Sequence, residues 1–231
     1  MWCVFFALLP GAGCDPWIWH LVVPELQKRG HEAVGVRLPY DDDRAGLSDY
    51  ADAVVGAIGT REDVVLVAQS IAGFVAPLVC TRLPVRLLVL VNAMIPLPGE
   101  TAGAWWEHVD HDSALAPVVA QHGPLQSWDA PAQVAVFLGD VEPELASESA
   151  NHVGPPGAGI FSSPLAIDSW PGVPTRALAG RYDRFFPLEF QRRVARERLQ
   201  LEPDEIESGH SPMLACPREL AARLAVYAEE L

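Results

Sequence analysis

Three residues far apart in the chain could together carry out nucleophilic catalysis: Ser70, Asp183 and His210. A serine hydroxyl is a weak nucleophile near neutral pH and needs a base to take its proton. An imidazole can serve, provided an acid on its other nitrogen orients it. Ser70 stands in VVLVAQSIAGF (64–74), an apolar run, a lone serine, then an apolar run of helical type. The usual device for mounting such a serine reads G-x-S-x-G. Here both glycines are alanines, Ala68 and Ala72. Glycine is preferred at those places because strand and helix approach closely there. Alanine adds only one methyl group, and Gly73 relieves crowding one residue later. On this motif alone, a serine that merely caps an ordinary helix fits as well.

The base is expected late in the chain, after the last strand. The stretch EIESGHSPMLACPREL (205–220) reads as a strand end, a short glycine loop carrying His210, then a helix. VPTRALAG (173–180) reads as the preceding strand, and Asp183 lies just past its end. Each residue has a plainer alternative: Asp183 could pair with Arg181 or Arg184, and His210 could be an ordinary loop histidine. What favours the catalytic reading is that all three fall at strand ends on one edge of a sheet. Attack by the serine would create an oxyanion, which needs backbone N–H donors. Ile71, directly after the serine, supplies one, and Ala12 in the turn LLPGAGCDPW (8–17) the other. Gly11 and Gly13 let that backbone come close.

The elements that must position these residues alternate. Strands are expected over 2–9, 31–38, 63–68, 86–92, 173–179 and 202–207. Helices are expected over 16–29, 48–59 (with Ser48 as N-cap), 70–82, 187–199 and 216–230. Strand–helix alternation with near-continuous apolar strands implies a doubly wound, mostly parallel six-stranded α/β sheet, buried on both faces. Residues 94–170 break the rhythm, rich in Pro, Gly, His and Trp and with no obvious strand. They read as a lid inserted into a single domain spanning 1–231, shaping a pocket and excluding water.

The chain resembles the α/β-hydrolases, and within them the methylesterase and hydroxynitrile lyase-like branch and its bacterial relatives. The resemblance rests on LLPGAGCDPWIWHLVVPELQKRGHEAVGVRLP, AQSIAGF, LVLVNAMIP, GRYDRFFPLEFQRR and GHSPMLACPRELA, about two thirds of the chain. The order Ser70, Asp183, His210 is the Ser–Asp–His order of that fold. The resemblance implies Ser70 as nucleophile, His210 as base, Asp183 as orienting acid, and the amides of Ala12 and Ile71 as the oxyanion hole. Departures are Pro10 where the family often has histidine, the two elbow alanines, and a sheet that starts without the leading hairpin. The lyases of this branch carry a threonine in the oxyanion loop and a lysine right after the histidine. This chain has Gly11 and Ser211 there, which favours hydrolysis of a small, largely uncharged carboxylic ester through an acyl-enzyme. The alternatives are a triad-bearing lyase, lactonase or cyclising enzyme, or a ligand-binding receptor on the same fold.

Composition narrows the partners. Sixteen basic against 30 acidic residues give a formal charge of −14, a field that repels phosphate backbones and anionic membranes. No nucleic-acid or membrane partner is expected, only a small-molecule ester, with the chain a monomer or homodimer. The four cysteines, at 3, 14, 80 and 216, show neither a CxxC pair nor zinc spacing, so free thiols and a cytoplasmic setting are expected. MWCVFFALLPGAGC imitates a secretory signal. No basic residue precedes Lys28, however, and the apolar stretch from Trp2 to Leu9 is short, so a strand fits better. No cofactor or metal is expected: Glu107-His108-Val109-Asp110-His111-Asp112 has no recognisable ligand spacing and reads as a solvated polar face. Trp17, Trp19, Trp105 and Trp106 are candidates for the pocket wall, with core packing an equal reading for each.

Overall fold

The computed structural model describes residues 3–230. Six strands form one sheet: β1 (Phe5–Leu9), β2 (Glu32–Gly35), β3 (Val64–Gln69), β4 (Leu87–Val91), β5 (Thr175–Gly180) and β6 (Asp204–Ile206). Every pairing is parallel, in the order β2-β1-β3-β4-β5-β6. Helices cover it: α1 (Val22–Gln27), α2 (Leu47–Ile58), α3 (Val75–Cys80), α9 (Leu188–Leu199), α10 (Pro212–Ala215) and α11 (Pro217–Glu229). Between β4 and β5 lie α4 (Ala102–His108), α5 (His111–His122), α6 (Ala130–Phe137), α7 (Pro143–Ser149) and α8 (Gly159–Ser162).

The alternation of side chains along each strand divides the core in two. Phe5, Ala7 and Leu9 of β1 join Val64, Leu66 and Ala68 of β3 in a cluster with Tyr50 and Val54 of α2 and Val75 and Val79 of α3. Phe6 and Leu8 join Val65, Val67, Val89 and Val91 in a second cluster with Val22 and Leu26 of α1 and Leu220 and Leu224 of α11. Both faces of β1, β3 and β4 are therefore buried, which is why those strands read as unbroken apolar runs. Each fully buried Leu, Val or Phe contributes roughly 1.5–3 kcal/mol of transfer free energy.

The chain steps outward from β1 to β2, then back across β1 to β3 and onward to β6. The direction of winding thus reverses between β1 and β3. In an open α/β sheet the carboxyl ends of the strands at such a reversal flank a crevice suited to ligands. The turn at Pro10–Gly13 and the serine at position 70 follow those two strands.

Prolines explain most departures from the expected boundaries. The helix expected over 16–29 splits into a 3-10 turn, Pro16–Trp19, and α1, with Pro24 confined to the first turn of α1. A proline there lacks only an N–H that would have no intrahelical partner. In the same way the helix expected over 70–82 becomes a 3-10 segment, Ser70–Phe74, followed by α3 with Pro77 in its first turn. The helix expected over 216–230 is α11, opened by Pro217, and a short helix outside the expected spans, α10, opened by Pro212, precedes it. Ser48 does not cap α2. Gly46 holds that position, and its N–H donates to the Asp49 carboxylate at 2.8 Å. β2 ends at Gly35, short of the expected 38, as the chain turns toward Pro39. Of the expected first strand, Trp2 lies outside the described residues, and pairing starts at Phe5.

Among the described residues all four cysteines are free. Burial pushes the thiols of Cys14 and Cys80 up to about 12 and that of Cys216 up to about 11. No helix among the described residues is long and apolar enough to cross a membrane.

Candidate active site

Ser70 is the first residue past β3, and its φ of +55° puts a non-glycine residue in the left-handed region. An L-residue there costs roughly 1–2 kcal/mol, so the surroundings must enforce it. Two close approaches do. The Ser70 carbonyl accepts the Met94 N–H at 3.0 Å. One residue after Ala72, Gly73 passes so near β4's exit that a Cβ would lie 1.9 Å from the Met94 carbonyl oxygen. Ala68 and Ala72 are both completely buried, so a single methyl is accommodated at each elbow position.

The Pro10–Gly13 turn is closed by the Cys14 N–H donating to the Gly11 carbonyl at 3.1 Å, a bond that does not involve the Ala12 N–H. Tyr40 steadies it from beneath, its hydroxyl donating to the Pro10 carbonyl at 3.0 Å. A Cβ on Gly11 would stand 3.1 Å from Ser70 Cβ and 2.2 Å from the Gln69 side-chain oxygen. The turn therefore passes too close to the serine to carry a side chain at position 11. Ile71, the residue after the serine, is buried.

Asp183 and His210 meet across β5 and β6. Asp183 Oδ2 lies 2.8 Å from His210 Nδ1, and both side chains are almost fully buried. The other oxygen of Asp183 accepts the N–H groups of Phe185 and Phe186 at 2.8 and 2.9 Å. A carboxylate only accepts, so Nδ1 is the donor in this bond and Nε2 is the nitrogen left for other partners. Arg181 turns instead to Glu205 and Glu207, and Arg184 to the Ala135 carbonyl. Three phenylalanine rings surround His210, those of Phe137, Phe185 and Phe186, with centroids 5.4, 5.4 and 5.3 Å away.

Two polar side chains tie these pieces together, and neither stood out in the sequence. Gln69 donates to the His210 carbonyl at 3.3 Å while its oxygen faces Gly11, so one side chain links the turn, the serine and the histidine loop. Asn92, completely buried and with φ +44°, accepts the Gly180 N–H at 2.6 Å. It also donates to the carbonyls of Gly209 and His210 at 2.9 and 3.2 Å. It ties β4, β5 and the histidine loop at one point. The only sequence signal for it was a polar residue closing the apolar run LVLVN.

The four tryptophans sit in different places. Trp19 is fully buried in the cluster beneath β1, with Phe6 and Leu8. Trp17 is sandwiched between His20 and His152, both with ring centroids 4.2 Å away, and His152 also bonds Asp15. Trp105 is fully buried and donates to the Ile95 carbonyl at 3.0 Å. Trp106 packs on Phe185 and Phe186, and so stands one ring behind those that touch His210.

The polar stretch 107–112 is not uniformly solvated. His108 bonds Glu100 at 2.7 Å. His111 is 2% exposed, donates to the Phe185 carbonyl at 2.8 Å and is ringed by aromatic side chains. Burial lowers its pKa below the ordinary 6.5, outweighing the Phe185 hydrogen bond. A cleft of about 480 Å³ opens beside the turn, lined by Asp15, Arg37, Tyr40 and His152 among others.

A parallel sheet with a strained serine after β3, and an Asp–His pair after β5 and β6, defines a known class. The chain belongs to the α/β-hydrolase family, whose model matches residues 6–223. Methylesterase 9 of Arabidopsis thaliana is 30% identical over 106 residues, a match covering 42% of this chain and 41% of that relative, less than half its length. Among solved structures, polyneuridine aldehyde esterase superposes with a TM-score of 0.82 at 20% identity, over 98% of this chain and all of that one. The Arabidopsis methylesterase MES16 does so with 0.78 at 16%, over 99% and 100%. A pyrethroid hydrolase from Sphingobium faniae JZ-2 gives 0.77 at 17%, over 99% and 98%. At these identities the solved structures establish the fold.

Proposed function

We propose that the protein is a serine hydrolase that cleaves a small, largely uncharged carboxylic ester. Ser70 is the nucleophile, His210 the general base and Asp183 the acid that orients it. The backbone N–H groups of Ala12 and Ile71 receive the oxyanion. The observation that carries this reading is the buried Asp183–His210 bond of 2.8 Å, on the same sheet edge as a serine held at φ +55°. Relatives named as methylesterases support the ester as substrate.

In the proposed course, His210 Nε2 takes the Ser70 proton as the hydroxyl oxygen attacks the ester carbonyl. Asp183 stabilises the resulting imidazolium without taking its proton. The tetrahedral oxyanion collapses, His210 hands the proton to the departing alkoxide, and water then cleaves the acyl-enzyme by the same steps. Each oxyanion donor of this kind is worth roughly 3 kcal/mol. Residues 94–170 act as a lid: α6 brings Phe137 against the base, and with Phe185 and Phe186 it forms an apolar wall that keeps bulk water from the imidazole.

The test is turnover of p-nitrophenyl acetate and butyrate by the wild type and by Ser70→Ala. The reading predicts a loss of roughly a thousandfold or more in kcat. Equal rates would remove it, and a wild type without turnover that still binds the esters would favour a receptor.

A further inference from the structure

The histidine loop is gripped from two sides, and only one grip comes from the ends of the sheet strands. Asn92 and Gln69 hold its carbonyls. On the amide side, Asp140 Oδ2 accepts the Gly209 N–H at 2.6 Å and the Ser208 hydroxyl at 2.9 Å. Ser208 is completely buried, and Gly209 is buried beside it. A Cβ on Gly209 would lie 2.7 Å from the other Asp140 oxygen, so the bare glycine is what lets the carboxylate approach.

Asp140 belongs to the segment between β4 and β5, in the link from α6 to α7. That segment touches the histidine twice, through the Phe137 ring at 5.4 Å and through the Asp140 carboxylate on the backbone just before it. Val141, next in sequence, is anchored in the cluster that holds Met213 and Leu214 of α10. The carboxylate is thus fixed relative to the element that follows the histidine. One carboxylate oxygen accepts bonds from both residues that lead into His210.

We propose that Asp140 is a positioning residue for His210, fixing the loop from the lid side so that lid and base keep one geometry. The proposal rests on the hydrolase reading for its kinetic effect, but its structural core does not. If Asp140 orients the base, its loss slows the chemical step and leaves ester binding nearly intact.

The test compares Asp140→Ala, Asp140→Asn and Ser208→Ala with the wild type on p-nitrophenyl butyrate. Alongside, the low-field proton resonance of the His210 Nδ1–H is followed by NMR. Asp140→Ala is expected to lower kcat about tenfold with KM changed less than about twofold, and to broaden the Nδ1–H signal. Asp140→Asn keeps an oxygen that accepts both bonds and is expected to stay within about threefold of wild type with a sharp signal. Ser208→Ala, which loses one bond of the two, falls between them. Wild-type kcat and an unchanged signal in Asp140→Ala would overturn the proposal, even with a lowered melting temperature. So would an Asn variant as slow as the Ala variant, since that would assign the effect to charge. If Ser70→Ala left turnover unchanged, the hydrolase reading would fall, while the NMR comparison would still decide whether Asp140 holds His210.

Discussion

Asp183 and His210 are 27 residues apart in sequence and 2.8 Å apart in space, the carboxylate on Nδ1 and almost no water on either. The same carboxylate is pinned by the N–H groups of Phe185 and Phe186, so it arrives at the imidazole already oriented. Asp183→Asn would present an amide N–H to Nδ1 or lose the contact, forcing the proton to Nε2, where it blocks base catalysis. The expected outcome is a fall in kcat of roughly 10³–10⁴-fold with the fold retained, read by steady-state kinetics and circular dichroism.

The serine's backbone makes a second prediction. At an ordinary position glycine is less stable than alanine by about 0.5–1 kcal/mol. At φ +55° the order reverses, because only glycine escapes the steric cost. Ser70→Gly should therefore be more stable than Ser70→Ala by about 1 kcal/mol, with both inactive. Paired urea melts decide it, and the ordinary order would mean the elbow is not strained.

Two glycines near the serine should respond differently to a single methyl. In Gly73→Ala the new Cβ meets a backbone carbonyl at 1.9 Å, so the β4 exit must move, with a loss of about 3 kcal/mol in stability. In Gly11→Ala it meets the far end of the Gln69 side chain, which can swing away. Stability then falls by about 1–3 kcal/mol, because buried Gln69 loses its bond to His210, and kcat drops about tenfold or more as that link breaks.

Asn92→Ala should be costly out of proportion to its size. It strands the Gly180 N–H and the Gly209 carbonyl inside the protein, leaves the His210 carbonyl with the Gln69 bond alone, and puts alanine at φ +44°. Denaturant unfolding is expected to show a loss of about 2–4 kcal/mol.

Acid sensitivity of the fold should be traceable in part to His111. Its pKa is lowered by burial, so the unfolded chain binds the proton more readily than the folded one. Stability is then full above 6.5, the ordinary histidine value, and declines as pH falls below it toward the lowered folded value. His111→Gln, which can still donate to the Phe185 carbonyl, should flatten the decline in melting temperature over that range. An unchanged slope would place the titrating group elsewhere.

The centre of the sheet was legible because β1, β3 and β4 are apolar on both faces, and that pattern survives without any knowledge of contacts. The meeting of Asp183 with His210 could be read from two strand ends and a chain order. Gln69, Asn92 and Asp140 could not, because each is one polar residue among many and acquires meaning only from the loop it holds. His111 was hidden among acidic neighbours that do face solvent, while its own side chain turns inward beneath Phe185. Trp19 and Trp105 share a residue type with pocket walls, but their surroundings are core. Local pattern reports periodicity well and three-dimensional neighbours poorly.

Covalent titration reads whether His210 makes the hydroxyl of Ser70 nucleophilic, as the proposed mechanism requires. The protein is treated with a fluorophosphonate and its intact mass measured, followed by peptide mapping. One adduct per chain is expected, located on Ser70, absent from Ser70→Ala and formed at least about a hundredfold more slowly in His210→Ala. Labelling of another residue, or equal labelling rates with and without the imidazole, would contradict it.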